Sequence, residues 1–482
     1  MIQTFAVGRN VEQMGEGRHV QQLIESLLDI SFEDLSTDVA RRTKLAILDF
    51  FGNALGALGT HHDLLRALLG LASESGGKAE STALGLGGRI SCLEAALVHG
   101  VLGNFLDFSD GHFMGGHVND RIVPAALAVA ESVGATGSEF ISAVLAGYEA
   151  YIRMGYALFK KAEPASVKAP TFVDLGPLAG SISAGKLLGL TNEQMAGAMG
   201  LAASMQISAG QYTISGGHEK DLCSGHESRR AVFSALMAQK GVFGSKDILE
   251  GDRGLHQAVG GTLDLNSLTD GLGETFKIEE CYFKPYPACK YLHASIEAAM
   301  SIVQDNAIDV KNIEEVRITT NSSSARRSTY NIVSHVSAIF SHQYQVSVVL
   351  VEGQPDLPTS WKEKMQNSLV SELIKKTKVV SSPEFDDLYR ARTLDYGTWP
   401  SRVEVLTKQG KRYESTVLRP KGDPTNPMTI QELESKFRKS ALRILAGDDV
   451  YRLVQKMHAI ERIDDVRGFC RELASQAILT GH

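Results

Sequence analysis

Apolar residues recur at helical spacing through most of the first half of the chain. The stretch at 36–58 begins with Ser36 and Thr37, two residue types that commonly cap helices. Apolar side chains then follow on one helical face, at Val39, Leu45, Leu48, Phe51 and Leu55. This pattern predicts one helix after another from residue 18 to about residue 275.

Small residues mark two of these predicted helices. The stretches at 177–190 and 192–210 are rich in Gly, Ala and Ser. Such residues leave little side chain between neighbouring backbones, so we expect these helices to be central and closely packed.

The pattern changes in the second half. Residues 313–321 alternate and are rich in β-branched residues, which predicts a strand. Residues 401–420 form two alternating runs around Gln409 and Gly410, which predicts a β-hairpin. A helical pattern returns after residue 428.

These patterns predict a mainly α protein with a large all-helical domain and an inserted, smaller α+β lid domain. We place the first part of the helical domain at 1–275, the lid domain at 276–427 and the C-terminal return of the helical domain at 428–482. The Pro- and Gly-containing stretch at 419–427 is the clearest linker.

Composition narrows the class of protein. The chain has 482 residues, of which 43% are hydrophobic and 22% charged, as in ordinary soluble globular proteins. Its net charge of -7 argues against a nucleic-acid partner. No apolar stretch has the length of a membrane span, and the first residues lack a secretory signal pattern. The five cysteines are scattered, which favours free thiols and a cytoplasmic location.

The densest titratable stretch, residues 106–120, lies between two predicted apolar helices. It includes Asp107, Asp110, His112 and His117. One interpretation is that the aspartates cap the next helix and the histidines are solvated. A second is a metal site, although the glycines of the loop leave its geometry unpredictable. The third is an acid/base set held between apolar walls, where proton transfer becomes efficient.

Three further stretches carry candidate chemistry. Lys220 and His218 stand beside paired glycines before a predicted helix, which is typical of an anion site but also of a solvated surface turn. Lys284 lies between an aromatic residue and a proline. His342 and Tyr344 interrupt an apolar helix, where a tyrosine is more often part of the core.

Taken together and in this order, these motifs resemble the MmgE/PrpD family, which includes 2-methylcitrate dehydratase, cis-aconitate decarboxylase and iminodisuccinate epimerase. The matching stretches extend over roughly residues 20–470, among them "LDFSDGH", "SAGKLLGLTNEQMAGAMGLAAS", "KPYPACKYLH" and "FSHQYQVSVVL". The resemblance implies a helical domain with an inserted α+β lid. It also implies a homodimeric, cofactor-independent enzyme that acts on small di- or tricarboxylates.

The resemblance also implies site residues. Five positions match active-site residues of the family: Asp107, His117, Lys220, Lys284 and Tyr344. Asp110 matches a second acidic position in the loop. We expect it to contact substrate together with four neighbours of the same motifs: His112, His218, Cys289 and His293.

Two positions depart from the family pattern. Many members carry a histidine where this chain has Ala169 or Pro170, and decarboxylases carry one where it has Cys289. Imidazoles that handle substrate protons are therefore missing. We expect a reaction other than cis-aconitate decarboxylation, with a different carboxylate substrate or a different outcome.

The sequence therefore predicts a lyase of dehydratase type, which abstracts a proton next to a carboxylate of a small polycarboxylate. Lys220 and Lys284 would hold the negative charge that develops, while His117 and Asp107 handle the proton. No metal or cofactor is expected. The alternatives are an epimerase or isomerase, a decarboxylase of a related dicarboxylate, and a catalytically inactive carboxylate-binding protein.

Overall fold

A computed structural model describes residues 18–159, 171–172, 174–204, 208–259, 263–390 and 398–479. The protein is mainly α, as the sequence predicts, with a few small β-sheets. No helix among the described residues combines the length and the apolar character that a membrane span requires.

The first half of the chain is a packed set of helices. Their bounds are α1 Arg18–Asp29, α2 Thr37–Leu58, α3 Asp63–Glu74, α4 Cys92–Asn104, α5 Asn119–Val133, α6 Gly137–Phe159, α7 Gly176–Leu187, α8 Asn192–Ala203, α9 Tyr212–Ser215, α10 Glu219–Gln239, α11 Leu255–Ala258 and α12 Asn266–Thr269. Three antiparallel two-stranded ribbons lie between them: β1 Ser81–Ala83 with β2 Gly88–Ile90, β3 Gly111–His112 with β4 Gly116–His117, and β5 Thr171–Phe172 with β6 Ser208–Ala209.

Local signals in the sequence explain where these helices begin and how closely they pack. The Ser36 hydroxyl accepts a hydrogen bond from the Val39 N–H, so α2 begins where the cap was predicted. Helix α7 is buried continuously from Gly176 to Gly185, as expected for a central helix. Helices α4 and α10 cross at Gly100 and Gly225, where an added Cβ on Gly100 would lie 2.7 Å from the Gly225 Cα.

The second half contains a four-stranded sheet with the order β10-β9-β7-β8. Its strands are β7 Ile313–Thr320, β8 Thr377–Ser381, β9 Ser401–Thr407 and β10 Arg412–Val417. Strands β9 and β10 form the predicted antiparallel hairpin, and Gly410 takes the positive φ of +81° that its turn needs. Strand β8 pairs parallel to β7, so a crossover of several helices joins them.

The helices of this half flank the sheet and then return to the first set. They are α13 His293–Asp305, α14 Ser322–Ala325, α15 His335–Ile339, α16 His342–Glu352, α17 Trp361–Gln366, α18 Ser368–Lys376, α19 Pro383–Arg390, α20 Ile430–Ala441, α21 Gly447–His458 and α22 Val466–Gln476. Short 3₁₀ helices occur at Phe32–Asp34, Lys277–Glu280, Lys290–Leu292, Val310–Asn312, Pro358–Ser360 and Ile460–Arg462.

These two parts of the chain have separate large apolar cores. The first joins the helices before residue 284 to side chains of α20, α21 and α22, such as Phe437, Val454 and Leu473. The second joins the sheet to α13, α15 and α16. The predicted boundaries at 275 and 427, and a lid role for the part between them, remain predictions.

Candidate active site

Asp107 lies where the chain leaves α4 and turns sharply. Its backbone adopts φ +51°, a left-handed conformation that aspartate and asparagine tolerate better than most residues. The Asp107 N–H donates to the Asn104 carbonyl at 2.8 Å, which closes the turn. The side chain is 1% exposed, so the turn buries a carboxylate at the end of an apolar helix.

Three basic side chains surround one oxygen of this carboxylate. Asp107 Oδ1 lies 3.2 Å from His117 Nε2, 3.3 Å from Lys284 Nζ and 3.4 Å from Lys220 Nζ. Burial alone would raise the pKa of Asp107, but the charges of Lys284, Lys220 and His117 outweigh it and hold this pKa well below its usual range. Asp107 is therefore a carboxylate that shares its charge among three groups.

Both lysines are buried and held by backbone carbonyls. Lys220, in the first turn of α10, donates to the Asn104 carbonyl at 2.8 Å, and Lys284 donates to the Asp107 carbonyl at 2.8 Å. Burial lowers the pKa of Lys284, although the Asp107 charge opposes this. An ammonium group has three N–H donors, and each lysine uses one on a carbonyl. Its contact with Asp107 is an ion pair without hydrogen-bond geometry, since neither Asp107 oxygen has a hydrogen-bond partner among the described residues. Within the described residues, each therefore keeps a donor for an anion.

His117 links this centre to a second carboxylate. The Ser109 hydroxyl donates to Asp120 Oδ2 at 3.0 Å and lies 2.8 Å from His117 Nδ1. Because that hydroxyl proton is used on Asp120, His117 Nδ1–H is the donor to Ser109. This hydrogen bond fixes the ring with Nε2 toward Asp107. The His117 side chain is 25% exposed, far more than Asp107 or the lysines, so it can exchange protons with solvent.

The second carboxylate is itself held in place by several donors. Asn104 donates to Asp120 at 2.6 Å, and Arg121 pairs with it at 2.7 Å. Burial would raise the pKa of Asp120, but the Arg121 charge, the nearby His117 ring and the hydrogen bond from Asn104 lower it. Neither Ser109 nor Asp120 was among the predicted site residues, although both stand in the titratable stretch that the sequence singled out.

A backbone bridge brings the two segments of the centre together. The Gly111 N–H donates to the Tyr282 carbonyl at 3.1 Å, and the Tyr282 N–H donates to the Gly111 carbonyl at 2.8 Å. Any side chain at Gly111 would meet the Tyr282 ring, because an added Cβ would lie 2.4 Å from its hydroxyl oxygen. The bridge fixes Lys284, two residues after Tyr282, beside the Asp107 turn.

Comparison with known proteins found two matching family domains. The MmgE/PrpD N-terminal domain matches residues 21–267, and the MmgE/PrpD C-terminal domain matches residues 286–459. The chain belongs to the MmgE/PrpD family. Among curated relatives, a cis-aconitate decarboxylase of Mus musculus is 24% identical over 92% of this chain and 91% of its own length.

Two further cis-aconitate decarboxylases of the MmgE/PrpD family are similar to this chain. The protein of Aspergillus terreus is 23% identical over 91% of this chain and 92% of its own length. The protein of Homo sapiens is 23% identical over 89% of each chain. The family match to the C-terminal domain runs past residue 427, where the sequence alone placed the end of a lid.

The structure gives Asp110 and His112 partners other than the Asp107 carboxylate, and their expected role in binding substrate remains a prediction. Asp110 accepts from the Tyr148 hydroxyl at 2.7 Å, and burial beside Asp49 raises its pKa to about 7. His112 pairs with Glu280 at 3.4 Å. The reason is strand register: Gly111 pairs with His117, so His112 points to the opposite face of the ribbon.

Cys289 and His293 lie close enough to Lys284 for its charge to act on both. Burial raises the pKa of the Cys289 thiol, and the charges of Arg327, Asp107 and Lys284 act on it. His293 contacts the Ala288 carbonyl through Nε2 at 3.1 Å. Its pKa is lowered well below the usual range, first by burial and then by Lys290 and Lys284. Both residues therefore belong to the electrostatic surroundings of Lys284.

The structure does not bring His218 and Tyr344 to the Asp107 carboxylate. His218 Nδ1 pairs with Asp221 at 2.9 Å, and its side chain is 47% exposed. Tyr344 lies in a small apolar cluster with Ile332 and Val370, on a face of α16 other than the one that packs in the second core. The MmgE/PrpD position occupied here by Ala169 or Pro170 falls outside the described residues.

Proposed function

We propose that the protein is a cofactor-independent lyase of dehydratase type that acts on a small di- or tricarboxylate by removing a proton next to a carboxylate. The observation that carries the proposal is the Asp107 carboxylate with His117, Lys220 and Lys284 within 3.4 Å of one oxygen. Membership of a family whose similar members are named cis-aconitate decarboxylases supports lyase chemistry on a polycarboxylate.

The two buried lysines suit an anionic substrate. Removing a proton next to a carboxylate moves the C–H electron pair onto that carboxylate, which becomes an enediolate. Ammonium groups that are already oriented by backbone carbonyls stabilise this charge without having to reorganise. Asp107 keeps both lysines together, because without it their like charges would repel each other.

His117 is the proposed proton carrier. Its Nε2 takes the carbon proton and returns it to the departing hydroxide, so that water leaves, a carbon–carbon double bond forms and the ring ends in its starting state. The hydrogen bond from Nδ1 to Ser109, and through it to Asp120, stabilises the imidazolium between these steps.

Decarboxylation is the second candidate, and the names of the similar proteins favour it. In that reaction the C–C electron pair remains on the substrate, carbon dioxide leaves and His117 protonates the carbon. Decarboxylases of the family are expected to carry a histidine at the position of Cys289. Because this chain has a cysteine there, dehydration remains our first choice. An epimerase would use the same abstraction and return the proton to the other face.

The test is incubation of the purified protein in deuterated water with citrate, methylcitrate, aconitate, tartrate and amino-dicarboxylates, followed by mass spectrometry. Loss of water supports dehydration, and loss of carbon dioxide supports decarboxylation. An unchanged skeleton carrying deuterium supports epimerisation. Tight binding of these anions without any turnover would overturn the proposal in favour of a binding protein. The His117→Ala variant serves as the inactive control.

A further inference from the structure

A second group of titratable side chains lies beside the lysine-containing end of α10. His218 Nδ1 is 2.9 Å from Asp221 Oδ2, and His335 Nε2 is 3.0 Å from the same oxygen. All three ligand-type atoms lie within 4.8 Å of one another. We call His218, Asp221 and His335 the His-Asp-His group.

Two members of this group are buried with unsatisfied polar atoms. Asp221 is 0% exposed and His335 is 1% exposed. Within the described part of the chain, neither ring nitrogen of His335 has a hydrogen-bond partner, and Asp221 Oδ1 also lacks one. His335 Nε2 therefore lies 3.0 Å from a carboxylate oxygen without hydrogen-bond geometry to it. Leaving such groups unsatisfied in the interior costs about 1–3 kcal/mol each, so the arrangement calls for a partner.

We propose that the His-Asp-His group binds a divalent first-row transition metal ion of the zinc type. Two imidazoles and one carboxylate are ligands that these ions prefer. Tetrahedral ligands at about 2.0–2.2 Å from zinc lie roughly 3.3–3.5 Å apart, close to the separations in the group. The half-exposed His218 leaves an entry path and an open position for water.

The surroundings match a metal site rather than a simple hydrogen-bonded pair. The His62 ring lies 5.0 Å from the His335 ring and 5.7 Å from the His218 ring. Phe105 covers His335 at 4.7 Å. His62 Nδ1 accepts from the Leu64 N–H, which fixes this ring against the group.

A bound ion would join the two cores of the molecule. His218 and Asp221 stand at the start of α10, which packs in the first core, whereas His335 begins α15, which packs in the second. The Ser334 hydroxyl already donates to the Gly216 carbonyl at 2.7 Å across the same junction. The metal would act as a clip between these elements and is separate from the proton-transfer chemistry proposed for His117.

The experiment is calorimetric titration of chelator-treated full-length protein with Zn²⁺, with Co²⁺ absorption as a second probe of coordination. We expect one tight site, with Co²⁺ visible absorption typical of a low-coordinate nitrogen and oxygen site. His218→Gln, Asp221→Asn and His335→Gln should each weaken binding by at least ~100-fold, since loss of a direct ligand exceeds the effect of losing an outer partner. His226→Gln, an exposed histidine on the same helix, is the matched control and should bind like the parent.

His218 is half exposed, so His218→Gln keeps the test valid even where the buried variants fold poorly. Zn²⁺ should also raise the melting temperature of the parent and of His226→Gln, but not that of His218→Gln. Failure of the parent to bind Zn²⁺, Co²⁺, Mn²⁺ or Ni²⁺ would overturn the proposal. Equal binding by the parent and His218→Gln would place the ion elsewhere and overturn it as well.

Discussion

The Asp107→Asn substitution removes one charge from the centre and changes little else. Asparagine has the same shape and tolerates the left-handed backbone that Asp107 adopts. The variant therefore leaves His117, Lys220 and Lys284 around a neutral amide. At an effective dielectric constant of about 20, each lost lysine contact of 3.3–3.4 Å represents about 5 kcal/mol of Coulomb attraction before desolvation.

Removing one partner of a buried ion pair usually costs about 3–5 kcal/mol, and we expect a loss of this size. Because the stranded cations then lack a counter-ion, a polycarboxylate should replace it. Millimolar citrate should raise the melting temperature of Asp107→Asn much more than that of the parent, as measured by calorimetry. Turnover should remain low, because the added anion occupies the position of the substrate.

Asp49→Asn is the matched control. Asp49, on α2, is also buried and pairs with one lysine, Lys436 of α20, at 2.6 Å. It accepts from the Asp110 N–H at 3.1 Å and so lies beside the same loop, but Lys220 and Lys284 pair with Asp107 rather than with Asp49. This variant should be destabilised without any special response to citrate. A parent-like melting temperature for Asp107→Asn, or an equal citrate response in Asp49→Asn, would refute the electrostatic reasoning.

Five other substitutions test the same structure. His117→Ala should lower kcat by about 10²–10⁴ with little change in melting temperature; a near-normal rate would exclude it as proton carrier. Lys220→Met and Lys284→Met should each lower kcat/KM by orders of magnitude in steady-state assays, and fully additive effects in the double variant would contradict a shared anion. Asp110→Asn should raise the free energy of unfolding by up to a few kcal/mol above pH 7 but little near pH 4, as measured by urea titration. Asp110 has a folded-state pKa of about 7, so in the parent its ionisation destabilises the folded protein as pH rises from about 4 to 7. A pH-independent effect of the substitution would refute this. Tyr344→Phe should keep activity within a few-fold and leave stability unchanged or higher, because the buried Tyr344 hydroxyl is unpaired among the described residues. A large loss of kcat would instead show that Tyr344 acts in the active site.

Part of the site could be predicted because its residues are close in sequence or are marked by glycines. The titratable stretch contains Asp107 and His117, and also Ser109 and Asp120, which are hydrogen-bonded in series to His117. Which aspartate faces the lysines could not be read from spacing, because the positive φ at Asp107 decides the direction of the turn.

The placement of the other predicted residues depended on tertiary contacts. His112 and His117 differ in facing because of a two-residue ribbon whose register is fixed by its neighbours. His218 has the residue type of a substrate ligand, but it faces Asp221 and a histidine that follows more than a hundred positions later. The hairpin around Gly410 was predictable because its turn is a local signal, whereas the parallel β7–β8 pairing had none.

The bridge between Gly111 and Tyr282 has a consequence for synthesis of the chain. Lys284 reaches Asp107 across a separation of 177 residues, and Lys220 reaches the same turn across 116. At about 5–20 residues per second, the ribosome delivers Lys284 on the order of 10–35 seconds after Asp107. During that interval the nascent helices carry a carboxylate without its full set of counter-charges and an unpaired edge at Gly111. Both features should keep the first core loosely closed until the second segment has emerged, which makes completion of the Asp107 centre a late event in folding.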